Sequence, residues 1–165
     1  MINNNTSPTP GMAFKVLTII HLALMLGQVL FGVVVFFQTR SVRVNIEKID
    51  DVYIYIVPFM AISCFIASNF MYKQQLGIAA GKPTLQEKMT GYQTALIVRY
   101  ALLEGASLFG IVVYLLTGNL LFLLISGAIV IYFLLIRPTR DRVEADLNLT
   151  YEEKIDLDSR DTFGQ

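Results

Sequence analysis

The sequence predicts an all-α membrane protein of four transmembrane helices, arranged as two antiparallel hairpins and carrying an internal duplication. Three observations lead there. Of 165 residues, 55% are hydrophobic and only 16% charged, where an ordinary soluble domain has about 45–50% apolar and about 25% charged residues. Four stretches approach the roughly 20 mostly apolar residues that a membrane helix needs. The Lys and Arg residues crowd into alternate connections, as they do in a chain that crosses a bilayer repeatedly.

The same composition excludes several chemistries. Thirteen Lys+Arg balance thirteen Asp+Glu, which leaves no basic footprint for nucleic acid. The lone Cys64 cannot build a disulfide framework, a thiol-redox pair or a cysteine zinc site within one chain. The lone His21 cannot supply both axial ligands of a haem. There is no phosphate-binding glycine loop, no GxSxG and no HExxH. The expectation is a protein that is not an enzyme, with no catalytic residues, no metal site and no cofactor.

Taken in order, residues 1–12 (MINNNTSPTPGM) form a Pro-, Asn- and Thr-rich tail expected to be disordered. The first span, 13–37, is too long for a cleaved signal peptide and lacks a small-residue cleavage site, so it is read as retained. The loop QTRSVRVNIEKIDD is long enough to fold over the outer face. The second span, 53–72, contains Pro58, which can kink it, and is made moderately polar by Ser63, Cys64, Ser68 and Asn69. Thr84 and Glu87 then form a capping-box pattern. The third helix should start there, outside the membrane, and enter it near Thr94 to span 94–116. Thr117-Gly118-Asn119 is a minimal turn into the fourth span, 120–136, the shortest and most purely apolar. Pro138 ends that helix, and Thr139 can cap a short helix reaching Asp146. Thr150 and Glu153 offer a second such start. The remainder of the 137–165 tail, IDLDSRDTFGQ, is too polar to bury much.

Orientation follows from the cations. Lys15, Lys73, Lys82, Lys88, Arg137, Arg140, Arg142, Lys154 and Arg160 lie on one side, against Arg40, Arg43 and Lys48 on the other. Both termini are therefore expected in the cytoplasm. Sliding the chain by 78 residues superposes Ala23–Gly32 on Ala101–Gly110, with six identities at Ala, Leu, Gly, Leu, Phe and Gly. Ala23/Gly27 and Ala101/Gly105 are small-xxx-small pairs that let helix backbones approach, and Ala106/Gly110 is another on a different face. With Gly32, these are the expected packing residues.

Glu104 is the main candidate for chemistry. A carboxylate in mid-span costs roughly 2.5–3.5 kcal/mol on insertion scales, so it must face protein or water. At about 100° per residue, Tyr100, Ser107 and Ile111 share its face, so Tyr100 and Ser107 could hydrogen-bond it. Arg99 lies on another stripe with Leu103, Ala106 and Gly110, and is expected to snorkel to the headgroups. His21 and Gln28 form a polar stripe on the first helix. They read either as a proton relay with Glu104 or, preferred, as a hydrogen-bonded interhelical pair. Arg137, Arg140 and Arg142 are expected to anchor the membrane surface and meet anionic lipid.

The segment ALLEGASLFGIVV, 101–113, resembles the carboxylate helix of rotary ATPase proteolipid (c) subunits, which read approximately ALxEAxxxxGVVI. That resemblance implies an ion- or proton-binding role for Glu104. Together with RPTRDRVEADL after the fourth span, the second half of the chain looks more like a group of small bacterial four-helix inner-membrane proteins. Those pair an ALLEGxxLFG segment with a Pro-Thr-Arg-rich exit, a match that implies fold and location rather than an activity. The leading expectation is a structural or accessory membrane subunit that packs with itself or with a larger complex. The alternative is a proton- or cation-coupled carrier or proteolipid-like subunit using Glu104, with His21, Gln28, Tyr100 and Ser107 around it.

Overall fold

A computed structural model describes residues 10–39 and 52–162. Residues 1–9 of the tail expected to be disordered over 1–12, and the first loop with Arg40, Arg43 and Lys48, lie outside the described residues; Pro10, Gly11 and Met12 are not disordered but open the first helix. Six helices follow one another: α1 (Pro10–Gln38), α2 (Tyr53–Ala80), α3 (Leu85–Thr117), α4 (Leu120–Leu135), α5 (Arg140–Asp146) and α6 (Tyr151–Thr162). Three of them, α1, α2 and α3, are long and apolar enough to cross a membrane. A fourth span is reached only by counting α4 with α5, from which it is bent by 83°. Alone, the 16 residues of α4 extend about 24 Å at 1.5 Å per residue, short of a hydrocarbon core of about 30 Å.

Local chemistry sets the helix ends. The Thr84 side chain accepts the Glu87 amide N–H (3.3 Å), so α3 begins nine residues before Thr94 at the expected cap. The α3–α4 turn uses Gly118 at φ 69°, a left-handed conformation that glycine adopts without a Cβ clash. Thr139 accepts the Arg142 amide to start α5. At α6 the box is reciprocal: Thr150 Oγ1 accepts from the Glu153 amide, and the Thr150 amide donates to the Glu153 carboxylate at 2.9 Å. α2 is continuous through Pro58 and runs past Tyr72 to Ala80.

α3 is the axis of the bundle, and α1, α2 and α4 each pack on it. Contact partners along α3 and α4 ascend in opposite directions (Arg99 with Tyr132, Ser107 with Ser126), so the two helices are antiparallel. α2 is antiparallel to α3 as well, with Ala79 against Gly91 and Asn69 against Arg99. α1 runs parallel to α3, placing His21 on Tyr100 and Gly32 on Ile111. The most extensive interface is α2–α3, whereas α1 and α2 make no substantial contact with each other. The expected first hairpin is therefore not packed; α3 takes α2's place as the neighbour of α1. Because none of the described residues bridges α1 and α2 over this face, a strip of α3 through Ile97, Ala101, Gly105 and Val112 is exposed among them.

The tail contributes more to the core than its composition suggests. Val143, Leu147, Leu149 and Leu157 are buried in one cluster with Leu85, Met89, Tyr92 and Leu96. Amphipathic spacing accounts for this: single leucines and a valine face inward while the many charges of α5 and α6 remain outside.

Candidate functional site

The densest polar contacts join three helices around Arg99. Its Nη2 donates to Asn69 Oδ1 on α2 (2.8 Å) and to the Tyr132 hydroxyl on α4 (2.7 Å). Tyr132 in turn donates to Asn69 Oδ1 (2.9 Å). The guanidinium carbon lies 4.4 Å from the centre of the Tyr72 ring, a cation–π distance. The Tyr72 hydroxyl donates to Asp146 Oδ2 on α5 (2.6 Å). Arg99 thus corrects the expectation of snorkelling. Its charge stays inside because amide and phenol oxygens meet it at its own depth, and its Nε is buried without a partner among the described residues. The arrangement ties α2, α3 and α4 together and, through Tyr72 and Asp146, fastens α5 over their end.

Deeper along α3, the Ser126 hydroxyl donates to the Ser107 carbonyl (2.9 Å) and to the Phe122 carbonyl (3.0 Å). Ser107 Oγ is directed at the Ser126 carbonyl, so Ser107 is committed to α4 and is not a partner of Glu104. Gly110 makes this approach possible, since a Cβ there would meet Ser126 Oγ at 2.3 Å and the Phe122 carbonyl at 3.2 Å. Ala106 is buried beside it. This small pair lies in the α3–α4 contact.

The other two small pairs do not pack within the chain. Ala23, Gly27, Ala101 and Gly105 are exposed, and a Cβ at Gly27 or Gly105 would meet nothing within 4 Å. Their faces point where α1 and α3 have no neighbour. Gly32 makes ordinary contacts with Ile111 and Leu123.

His21, Gln28 and Tyr100 are buried at the junction of α1, α3 and α4. The His21 ring stacks on Phe133 (4.7 Å, 4° between planes) and touches the Tyr100 ring (5.0 Å). Both ring nitrogens of His21, both amide atoms of Gln28 and the Tyr100 hydroxyl lack a hydrogen-bond partner among the described residues. Among the described residues, His21 and Gln28 therefore lack the interhelical hydrogen bonds that the preferred reading gives them: they stand two turns apart, His21 against Tyr100 and Phe133 with Arg137 and Thr139 across a cleft, and Gln28 in a second cleft with Ser126. Neither reaches Glu104. Glu104 itself is half-buried, on the border between the buried stripe Tyr100–Ser107–Ile111 and the exposed strip Ala101–Gly105. The candidate ion-binding set is not assembled into one site by this fold.

At the basic end of the bundle, Lys88 Nζ grips both carboxylate oxygens of Glu153 (2.7 and 2.9 Å), and Lys154 pairs with Glu144 at 3.0 Å. Hydrogen bonds from Lys88 and from the Thr150 backbone hold the Glu153 carboxyl below its ordinary pKa. Arg137, Arg140 and Arg142 are exposed there. Among the described residues no group of three His, Cys, Asp or Glu side chains could hold a metal ion.

No protein-family model, curated protein or solved structure matches the chain.

Sequence reasoning missed Tyr72, Tyr132, Asp146 and Gly91. A signal for the first group was present: Arg99 shares its stripe with Ala106 and Gly110, small residues that mark a closely packed face and not a lipid-facing one. Gly91, where a Cβ would lie 2.7 Å from that of Ala79, was legible too, because with the buried Ala95 four residues on it forms a small-xxx-small pair.

Proposed function

We propose that the chain is a small integral inner-membrane protein without catalytic chemistry, acting as a structural or accessory subunit. The observation that carries this reading is the separation of Glu104 from every other candidate ion-binding group, while the polar contacts that do form fasten helices together. A half-buried carboxyl beside an uncovered strip of α3 suits a contact with another membrane protein or a second copy, which would supply its hydrogen-bond partner. In this reading α4 is the fourth span, its short apolar length completed by the turn into α5. The end bearing α5 and α6 faces the cytoplasm, as the excess of Lys and Arg there supports. The duplication of α1 in α3 is supported by matched surroundings, since Gly27 and Gly105 are both open and Val35 and Val113 both buried.

The second reading, a proton- or cation-coupled carrier, is favoured by one feature: Glu104 lies where the proteolipid likeness would put an ion-binding carboxyl, at a surface between copies. The two readings separate on Glu104→Gln. In proteoliposomes with a pH-sensitive dye inside, the structural reading expects no cation- or proton-coupled flux from the wild type and unchanged folding of the variant. A flux that the substitution abolishes would establish the carrier instead.

A further inference from the structure

α1 and α4 pack far less closely on each other than either does on α3, and two clefts open along the seam between them. The first, about 360 Å³, is walled by Phe14, Leu22 and Leu134 and carries polar groups from Thr18, His21, Arg137 and Thr139. The second, about 380 Å³, continues along the same two helices and is walled by Val29, Val33, Leu123, Val130 and Ile131. His21 is 2% exposed, lines the first cleft, and has no partner for either ring nitrogen among the described residues. A neutral imidazole carries one N–H donor, and leaving it unpaired in an apolar setting is costly. Arg137 is exposed at the mouth of the same cleft and has no ion-pair partner among the described residues. The Thr139 oxygen accepts from the Arg142 amide, which leaves its hydroxyl proton available.

We propose that this seam binds one anionic phospholipid. A cation and one hydroxyl donor at the membrane surface, a single buried N–H donor below them and an apolar cleft beyond follow the order of groups along such a molecule, while the Thr18 hydroxyl is spent on the Phe14 carbonyl. Its phosphate meets Arg137 and Thr139, an ester oxygen accepts from His21, and an acyl chain lies in the cleft past Val29 and Ile131. Charge complementarity selects an anionic headgroup over a zwitterionic one. The apolar cleft selects a lipid over a free phosphate.

His21 is the only histidine in the chain, so its ring ¹⁵N resonances report on one site. The untagged protein, labelled with ¹⁵N-histidine in phosphatidylcholine nanodiscs, is titrated with phosphatidylglycerol and separately with inorganic phosphate. The expected result is a saturable shift with phosphatidylglycerol alone. Arg137→Gln, at an exposed position, should weaken it about fivefold, the equivalent of one cation at the membrane surface. His21→Phe, which keeps the stack on Phe133, should lower the phosphatidylglycerol retained in native mass spectra. An equal shift with inorganic phosphate would overturn the lipid assignment in favour of a free-anion site. No shift, or one that Arg137→Gln leaves unchanged, would overturn the proposal altogether.

Discussion

Arg99 shows how a charge is kept within a helical bundle without a carboxylate beside it. Asn69 Oδ1 accepts from both Arg99 and Tyr132, so removing that one oxygen strands two donors at once. Asn69→Ala should therefore destabilise the protein by about 1–3 kcal/mol, as expected when a hydrogen bond to a charged group is lost. Tyr132→Phe should cost less, because Arg99 keeps Asn69 and its contact with the Tyr72 ring. Thermal unfolding in detergent would measure both, and equal midpoints for Asn69→Ala and wild type would show that the clamp contributes nothing. Helical periodicity made part of this legible, since it placed Arg99 on the stripe of Leu103, Ala106 and Gly110. It could not show that Asn69 and Tyr132 stand at the same depth, because that depends on how far α2 and α4 slide along α3.

Among the helices, glycines divide by what faces them. A methyl group at Gly110 would run into Ser126 and the Phe122 backbone, and one at Gly91 into Ala79. Overpacking of this kind costs about 1–3 kcal/mol, so Gly110→Ala and Gly91→Ala should both lower the unfolding midpoint, since part of the obstacle at each is backbone. Gly27→Ala and Gly105→Ala meet nothing and should be neutral or stabilising by up to about 1 kcal/mol, the helix preference of alanine over glycine. A loss of stability at Gly105 specific to the protein in its membrane assembly would reveal a partner on the open strip of α3. In sequence these glycines look alike. The small-xxx-small pattern identifies where helices are able to approach, whereas the choice between α3–α4 contact and an empty face belongs to the bundle.

For the molecule as a whole, the α5–α6 cap ties stability to pH through one carboxyl. Glu153 has a lowered pKa in the folded protein through its bonds to Lys88 and Thr150. Its contribution is accordingly present above the ordinary carboxylate range and is lost as pH falls through that range toward the lower folded value. Glu153→Gln should flatten this acid dependence and cost about 1 kcal/mol at neutral pH, a modest figure because Glu153 retains access to water. Amide exchange in α6 across a pH series is the direct measurement; identical profiles for wild type and variant would remove the ion pair from the account.

What the sequence determined by itself is everything governed by neighbours along the chain. The long apolar helices follow from hydropathy, and the starts of α3, α5 and α6 follow from Thr84, Thr139 and Thr150, whose side chains bond amides three residues on. The turn at Gly118 belongs with them. The tertiary structure alone decided which faces meet. It put α3 at the centre, left α1 and α2 apart, buried Leu157 of a highly charged tail, and separated Glu104 from His21 and Gln28. Those outcomes depend on the relative rotation and depth of whole helices, set by many weak packing contacts summed over each interface, and no window of consecutive residues contains that sum.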